Sequence, residues 1–229
     1  MGDVLVALGR SIRSLVRPGV FIHLVWPGVV STLLWIIVAW LSWGALTDWI
    51  GNLIGVSGKG TVVVKMLVVL ALLPLIFVFA MLLVSSVALP IMLDHVARRD
   101  YADLEQRRGG SNMGSVRNTL RALPKYLLVI VVSLPFWLIP GVALVVPLLA
   151  TSWLNQRLFG YDALMLHADG DELVSLPQEV RSRMRLLGGV TALPAYIPVV
   201  NIVASALSGL AFVHFLLEAL RRRRSANSP

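Results

Sequence analysis

Residues 126–154 read YLLVIVVSLPFWLIPGVALVVPLLATSWL, and the way this stretch folds decides the architecture of the whole chain. Its 29 residues carry no ionisable Asp, Glu, Lys, Arg or His, which is length enough for one tilted membrane helix. Pro135, Pro140-Gly141 and Pro147 nevertheless cut it into shorter pieces. At ~1.5 Å rise per residue, a piece of about 14 residues covers about 21 Å, short of the ~30 Å hydrocarbon core. The stretch is therefore either one broken span or a re-entrant hairpin that enters and leaves by the same face. Residues 186–220 pose the same choice, with Pro194, Pro198 and Asn201 in the first half of that stretch.

The composition settles the class around this question. Of 229 residues, 57 % are hydrophobic and 14 % charged, against about a quarter charged in a soluble domain, so the chain is read as an all-α integral membrane protein. The longest polar stretches, 94–125 and 155–185, are too short for an independent soluble core. With no cysteine, disulfides, Cys-ligated zinc, iron–sulfur clusters and thiol catalysis are excluded, and the redox compartment is left open. The net charge of +8 raises nucleic acid as a partner, but in a membrane protein the placement of Lys and Arg carries more information than their total.

Outward from the deciding stretch, the segments follow by polarity. Residues 1–17 set Leu5, Leu8, Ile12 and Leu15 at helical spacing, with Arg10, Arg13 and Arg17 on another face, the pattern of an interfacial helix. The arginines interrupt any signal-peptide core, and Val6 stands where myristoylation wants Ser or Thr. Pro18-Gly19 breaks this helix before a first span at 22–47, in and beside which lie Trp26, Trp35, Trp40, Trp43 and Trp49. A glycine-rich linker from Thr47 to Lys65 precedes a second span at 66–93, interrupted by Pro74 and Pro90. Residues 94–125 read as cytoplasmic, helical until a stop at Gly109-Gly110, with an interfacial helix over Ser115 to Lys125. Hairpin candidates at 126–154 and 186–220 flank a cytoplasmic loop at 155–185, and 221–229 is a basic tail.

Counting Lys and Arg segment by segment discriminates between the architectures. With both proline-broken stretches as hairpins, 18 fall on one side and 2 on the other; with both as full spans the split is 14 to 6. The hairpins are favoured, and either reading puts both termini in the cytoplasm. Non-helical backbone at a hairpin tip needs protein or trapped water to satisfy it, so the expectation includes packing in a bundle or a homo-oligomer.

The order of these features resembles the CysZ-type and etoposide-induced integral membrane proteins, whose bacterial members include inner-membrane sulfate permeases. The resemblance runs over nearly the whole chain. It is carried by Ile139-Pro140-Gly141 at the first tip, Ile197-Pro198-Val199-Val200-Asn201 at the second, and Gly160-Tyr161-Asp162 between them. Pro18-Gly19 before the first span and Ala88-Leu89-Pro90 before the polar stretch add to it. It implies two full spans, two half-penetrating hairpins, oligomerisation, location in the bacterial cytoplasmic membrane, and permeation of a small inorganic anion. One departure stands out. Sulfate permeases of this family carry arginines just after the Pro-Gly, and the matching positions here are Val20, Phe21 and Ile22.

The candidate anion-binding residues are accordingly Arg17, Gly19, Val20 and His23 at the start of the first span, together with Asn201 after the second tip. A helix start offers backbone N–H groups and a positive dipole end to an anion; its bland alternative is an ordinary start at headgroup level. Asn201 equally suits capping of a broken helix. His214 is an intramembrane ionisable group, weighed against an interfacial neutral histidine. His167, Asp169, Asp171 and Glu172 match no standard metal-ligand spacing, and neither a metal nor a cofactor is expected. Ser205 and Ser208 with His214 lack a Gly-x-Ser-x-Gly elbow, and Gly58-Lys59-Gly60-Thr61 lacks the glycine and hydroxyl residues of a phosphate loop, so no enzyme activity is expected. Arg221 to Arg224 read as an anchor on anionic membrane lipids. The leading expectation is a CysZ-like permease for a small anion such as sulfate; the alternative is a non-transporting scaffold or lipid-interacting protein of the same fold.

Overall fold

A computed structural model describes residues 1–55, 62–197 and 200–227. The Gly58-Lys59-Gly60-Thr61 stretch and Pro198-Val199 lie outside the described residues. Among those described there are helices and turns and no strand. Five of the helical stretches are long and apolar enough to cross a membrane, so the protein is an all-α integral membrane protein.

The chain divides into two compact units, one of residues 21–90 and one of residues 1–20 with 91–229. The smaller is built from α2 (Pro18–Leu53), most of which falls in it, and α3 (Val62–Leu83). Pro18 opens α2 because a helix start needs no proline N–H. Both helices are apolar all round, the mark of a segment that faces lipid. They meet through Ile50, Val64 and Val68, flanked by Trp43 and Leu46, and through the Ser31 hydroxyl, which donates to the Ile76 carbonyl at 2.7 Å. The expected linker is shorter than the composition suggests, since Thr47 to Leu53 remain helical. After α3 the chain makes a π-turn at Val84–Ala88 and continues as α4 (Leu89–Asp100), the wider turn accommodating Pro90 without a break. The helix stops at Asp100 rather than running on to the glycine pair.

The larger unit is organised around α9 (Asn201–Asn227), whose residues 208–217 are all buried. Helix α1 (Gly2–Leu15), α6 (Pro140–Leu164) and α8 (Arg181–Ala192) pack against it. Helix α1 turns a small-residue stripe inward, Val4, Ala7, Ser11 and Ser14, and leaves Leu5 and Ile12 exposed. Small residues let the two backbones approach closely.

Helices α5 (Asn112–Ser133) and α6 form an antiparallel hairpin. The expected interfacial helix at Ser115 to Lys125 is the first half of α5, continuous with its apolar half. A 3₁₀ turn at Leu134–Leu138 reverses the chain, Ile139 goes extended, and Pro140 starts α6. The register shows in cross-hairpin bonds: Asn118 Nδ2 donates to the Arg157 carbonyl at 2.7 Å, and the Tyr126 and Thr151 hydroxyls stand 3.5 Å apart. Tyr161 and Asp162 close its base, receiving bonds from the Ser111 backbone N–H and the Ser115 hydroxyl. Gly110 matters here, because a Cβ on it would stand 2.6 Å from that of Met165. The sequence 155–185 is mostly helical, with α7 (Gly170–Glu179) between α6 and α8.

Helix α8 lies against α6 so closely that a Cβ on Gly188 would stand 2.7 Å from the Ser152 carbonyl oxygen, while the Ser152 hydroxyl donates to the Arg185 carbonyl at 3.0 Å. Because backbone cannot yield as a side chain does, Gly188→Leu is expected to cost about 1–3 kcal/mol by overpacking. Thermal unfolding of the detergent-solubilised protein checks this; an unchanged midpoint would mean that α6 and α8 are not in this contact.

Candidate functional site

Arg17 and Gly19 bracket the break between α1 and α2. Arg17 Nη1 donates to both carboxylate oxygens of Asp100, at 2.8 and 2.7 Å, so the nearest cation to the start of α2 already has a counter-charge. Gly19 brings the α2 backbone against an imidazole: a Cβ there would stand 3.3 Å from His95 Nε2. His95 and Asp100 both come from α4, which therefore supplies a cationic-capable ring and an acid to the same turn. Val20 is buried, and its backbone N–H already donates to the Arg17 carbonyl at 2.9 Å. His23 falls in the smaller unit.

Asn201 is placed elsewhere. It begins α9, with its N–H donating to the Ile197 carbonyl at 3.0 Å, and its side chain is exposed. Asp100, the partner of Arg17, accepts through its carbonyl from Arg221 at 3.3 Å. Arg221 lies 20 residues beyond Asn201 on one helix, about 30 Å along the axis. The structure brings Arg17 and Gly19 together with His95 and Asp100, and sets Asn201 roughly a bilayer core away from them.

His214 is buried inside the larger unit. Its Nε2 is 2.9 Å from the Ser14 hydroxyl, its Nδ1 is 3.1 Å from the Tyr101 hydroxyl, and that hydroxyl donates to the His214 carbonyl at 3.0 Å. One neutral tautomer satisfies all of these, with Nδ1–H donating to Tyr101 and Ser14 donating to Nε2. Ser208 donates instead to the Thr191 carbonyl at 3.2 Å, so neither it nor Ser205 is the histidine's partner. The Arg221 guanidinium lies over the Tyr101 ring, 4.8 Å from its centroid.

The four arginines at the end of α9, expected to seek lipid, each reach a carboxylate of the same unit. Arg221 pairs with Asp103, Arg222 with Asp3 at 2.9 Å, Arg223 with Glu179 at 3.1 Å, and Arg224 with Glu172. The Asp3 pair also holds the two ends of the chain together. Arg10 and Glu218 add a pair at 2.9 Å. The cluster weighed as a metal site is a helix cap: Asp169 Oδ1 accepts from the N–H groups of Asp171 and Glu172 at 3.0 and 2.8 Å, and Glu172 Oε2 accepts back from Asp169 N–H at 2.9 Å. No group of three potential ligands gathers among the described residues. Burial pushes the His167 imidazole below its ordinary value, against holding a proton.

Sequence reasoning did not single out Ser14, His95, Asp100 or Tyr101. The Ser14 to His214 contact spans 200 positions, and no local spacing signals it. Only the Ala7, Ser11, Ser14 stripe marked a face of α1 made for close approach.

A model of the family described as Sulfate transporter CysZ/Etoposide-induced protein 2.4 matches residues 7–205. No match was found among curated proteins.

Arg224 donates to Glu172 at 2.9 and 2.6 Å and holds its carboxyl below the 4.5 of a free glutamate, an effect that outweighs the opposing cost of burial. A depressed folded value stabilises above pH 4.5 and loses that contribution as pH falls through it. Glu172→Gln is expected to lower stability at pH 7 by about 2 kcal/mol and to flatten the loss on acidification. Thermal unfolding at pH 7 and pH 3 reads both effects.

Proposed function

Because the chain belongs to the sulfate transporter CysZ/etoposide-induced protein 2.4 family, we propose that it is a permease for a small inorganic anion, sulfate first among them, and that the anion meets it at the start of α2. The observation that carries this reading is the convergence of Arg17, the Gly19 backbone and His95 on one turn. A doubly charged anion at a helix start gains from backbone N–H groups, the dipole and charge-assisted bonds. Two arginines that family permeases place after the Pro-Gly are absent here, so Arg17 supplies the positive charge and the His95 ring stands beside it. Arg17 is held by Asp100, and an entering dianion competes with that carboxylate for one guanidinium.

The proposal includes the membrane disposition. Helices α5 and α6 are each long enough as a whole to cross a membrane, but the charge-free half of each covers about 21 Å of the ~30 Å core, which supports a hairpin entering tip first. Helix α9 is longer, but α1, α6 and α8 cover it, so its length answers to a protein environment rather than a lipid one. A second hairpin of α8 and α9 follows from this. With the chain ends tied by Asp3 and Arg222, both termini lie on one side, taken as cytoplasmic at a bacterial inner membrane, and homo-oligomerisation covers the exposed tips.

A second reading, a membrane scaffold that does not transport, is favoured by the occupied Arg17 and the buried Val20. Radiolabelled sulfate uptake into proteoliposomes separates the two. The permease reading expects flux above empty vesicles, at least about tenfold less in Arg17→Ala, and tighter sulfate binding in Asp100→Asn, where one competitor charge is gone. Folded protein without flux establishes the scaffold.

A further inference from the structure

The arginines of α8 are sorted by face. Arg183 pairs with Asp3 at 2.8 Å on the side toward α1. Arg181 and Arg185, one turn apart on another face, border the groove between α8 and α6, as does Arg157 of α6. Among the described residues none of these three has a carboxylate within ion-pairing distance.

The groove has two adjoining hollows of about 520 and 540 Å³ that share Trp153 and Gln156. The first is polar, with Arg157, Arg181, Asn118 and Gln178 in its wall. The second is an apolar trough along Leu149, Leu186, Val190 and Leu193, all exposed, with Arg185 at its edge. No Asp or Glu lines either hollow. By contrast, the cleft of about 180 Å³ on the α1 side holds Asp3, Glu179 and Glu218, and each of its four arginines is paired with one of them.

The register orders these parts along the hairpins. The bond from Ser152 to the Arg185 carbonyl and the contact between Gly160 and Met184 put Arg181, Arg185 and Arg157 together near the base, while Leu149, Val190 and Leu193 lie toward the tips. Trp153 stands at the boundary, where an amphipathic ring favours headgroup depth.

We propose that this groove binds one anionic phospholipid, its phosphate held by Arg157, Arg181 and Arg185 and an acyl chain lying in the trough above. Two unpaired arginines in the wall of the polar hollow and a third at the edge of the adjoining trough call for an anion with several acceptor oxygens. The attached trough fits an apolar chain, and each hollow has the size of a ligand site. A free anion makes no use of the leucines, and a second copy of a chain with net charge +8 is on balance repelled by it. The site depends on the hairpins entering the membrane tip first and not on anion permeation, so its test does not read flux.

The test is native mass spectrometry of the full-length protein in mild detergent, with phosphatidylglycerol or phosphatidylcholine added at equal concentration. One phosphatidylglycerol is expected to be retained in preference to phosphatidylcholine. The combined Arg157→Gln, Arg181→Gln and Arg185→Gln variant is expected to lose at least about tenfold in retention. Arg13→Gln, Arg99→Gln and Arg117→Gln together, an equal change of charge outside the groove, leave retention intact. Val190→Trp, which fills the trough and spares the arginines, also lowers it, and keeps the proposal testable if the triple variant does not fold. Equal loss in the control variant overturns the site, as does competition by glycerol 3-phosphate as effective as by the lipid, which marks a free-anion pocket. A protein dimer that Val190→Trp dissolves, with no lipid retained, overturns it in favour of a second copy.

Discussion

A helix that is enclosed along its middle and ends in four consecutive arginines must find four counter-charges, and the larger unit is built to meet that demand. A guanidinium does not shed its proton, so burial beside it has to be compensated by a carboxylate or carbonyl. Successive residues on a helix point about 100° apart, so Arg221 to Arg224 fan out and cannot share one acid. Their partners come from the turn after α4, from α1 and from α7. The same demand explains why acids far apart in sequence converge, and why the capping box of α7 stands at the end of α9: Glu172 serves both.

This pairing also changes what the net charge of +8 means. Arginines on the α9 side are matched within the protein, whereas those facing the α6 and α8 groove are not. Arg17 at the start of α2 belongs with the matched ones, through Asp100.

Much of the fold was legible in the residues. Pro140 and the break at Pro18-Gly19 mark chain reversals because proline ends one helix and opens the next. The apolar all-round character of α2 and α3 followed from composition, while the helical hairpin extends well beyond 126–154, over α5 and α6 from Asn112 to Leu164. The candidate site was only half legible. Arg17 and Gly19 could be named from their position beside a helix start, but His95 and Asp100 sit near them only because α4 returns to that turn. Leu5, Leu8, Ile12 and Leu15 suggested the apolar face of an interfacial helix, and the sequence reading did not foresee that the small residues on another face of α1 make its contact with α9, where close approach rewards fit over hydrophobicity.

By itself the sequence determined the class, the helices and the points where they reverse, because periodicity, proline and the scarcity of charge act over a few neighbouring residues. Tertiary structure alone decided which charges are neutralised. Ion pairs join positions as distant as Asp3 and Arg222, and their formation depends on helix rotation and register, which no local pattern encodes. For this reason the four arginines at the end of α9 are each paired with a carboxylate, while Arg157, Arg181 and Arg185 beside the α6 and α8 groove are not.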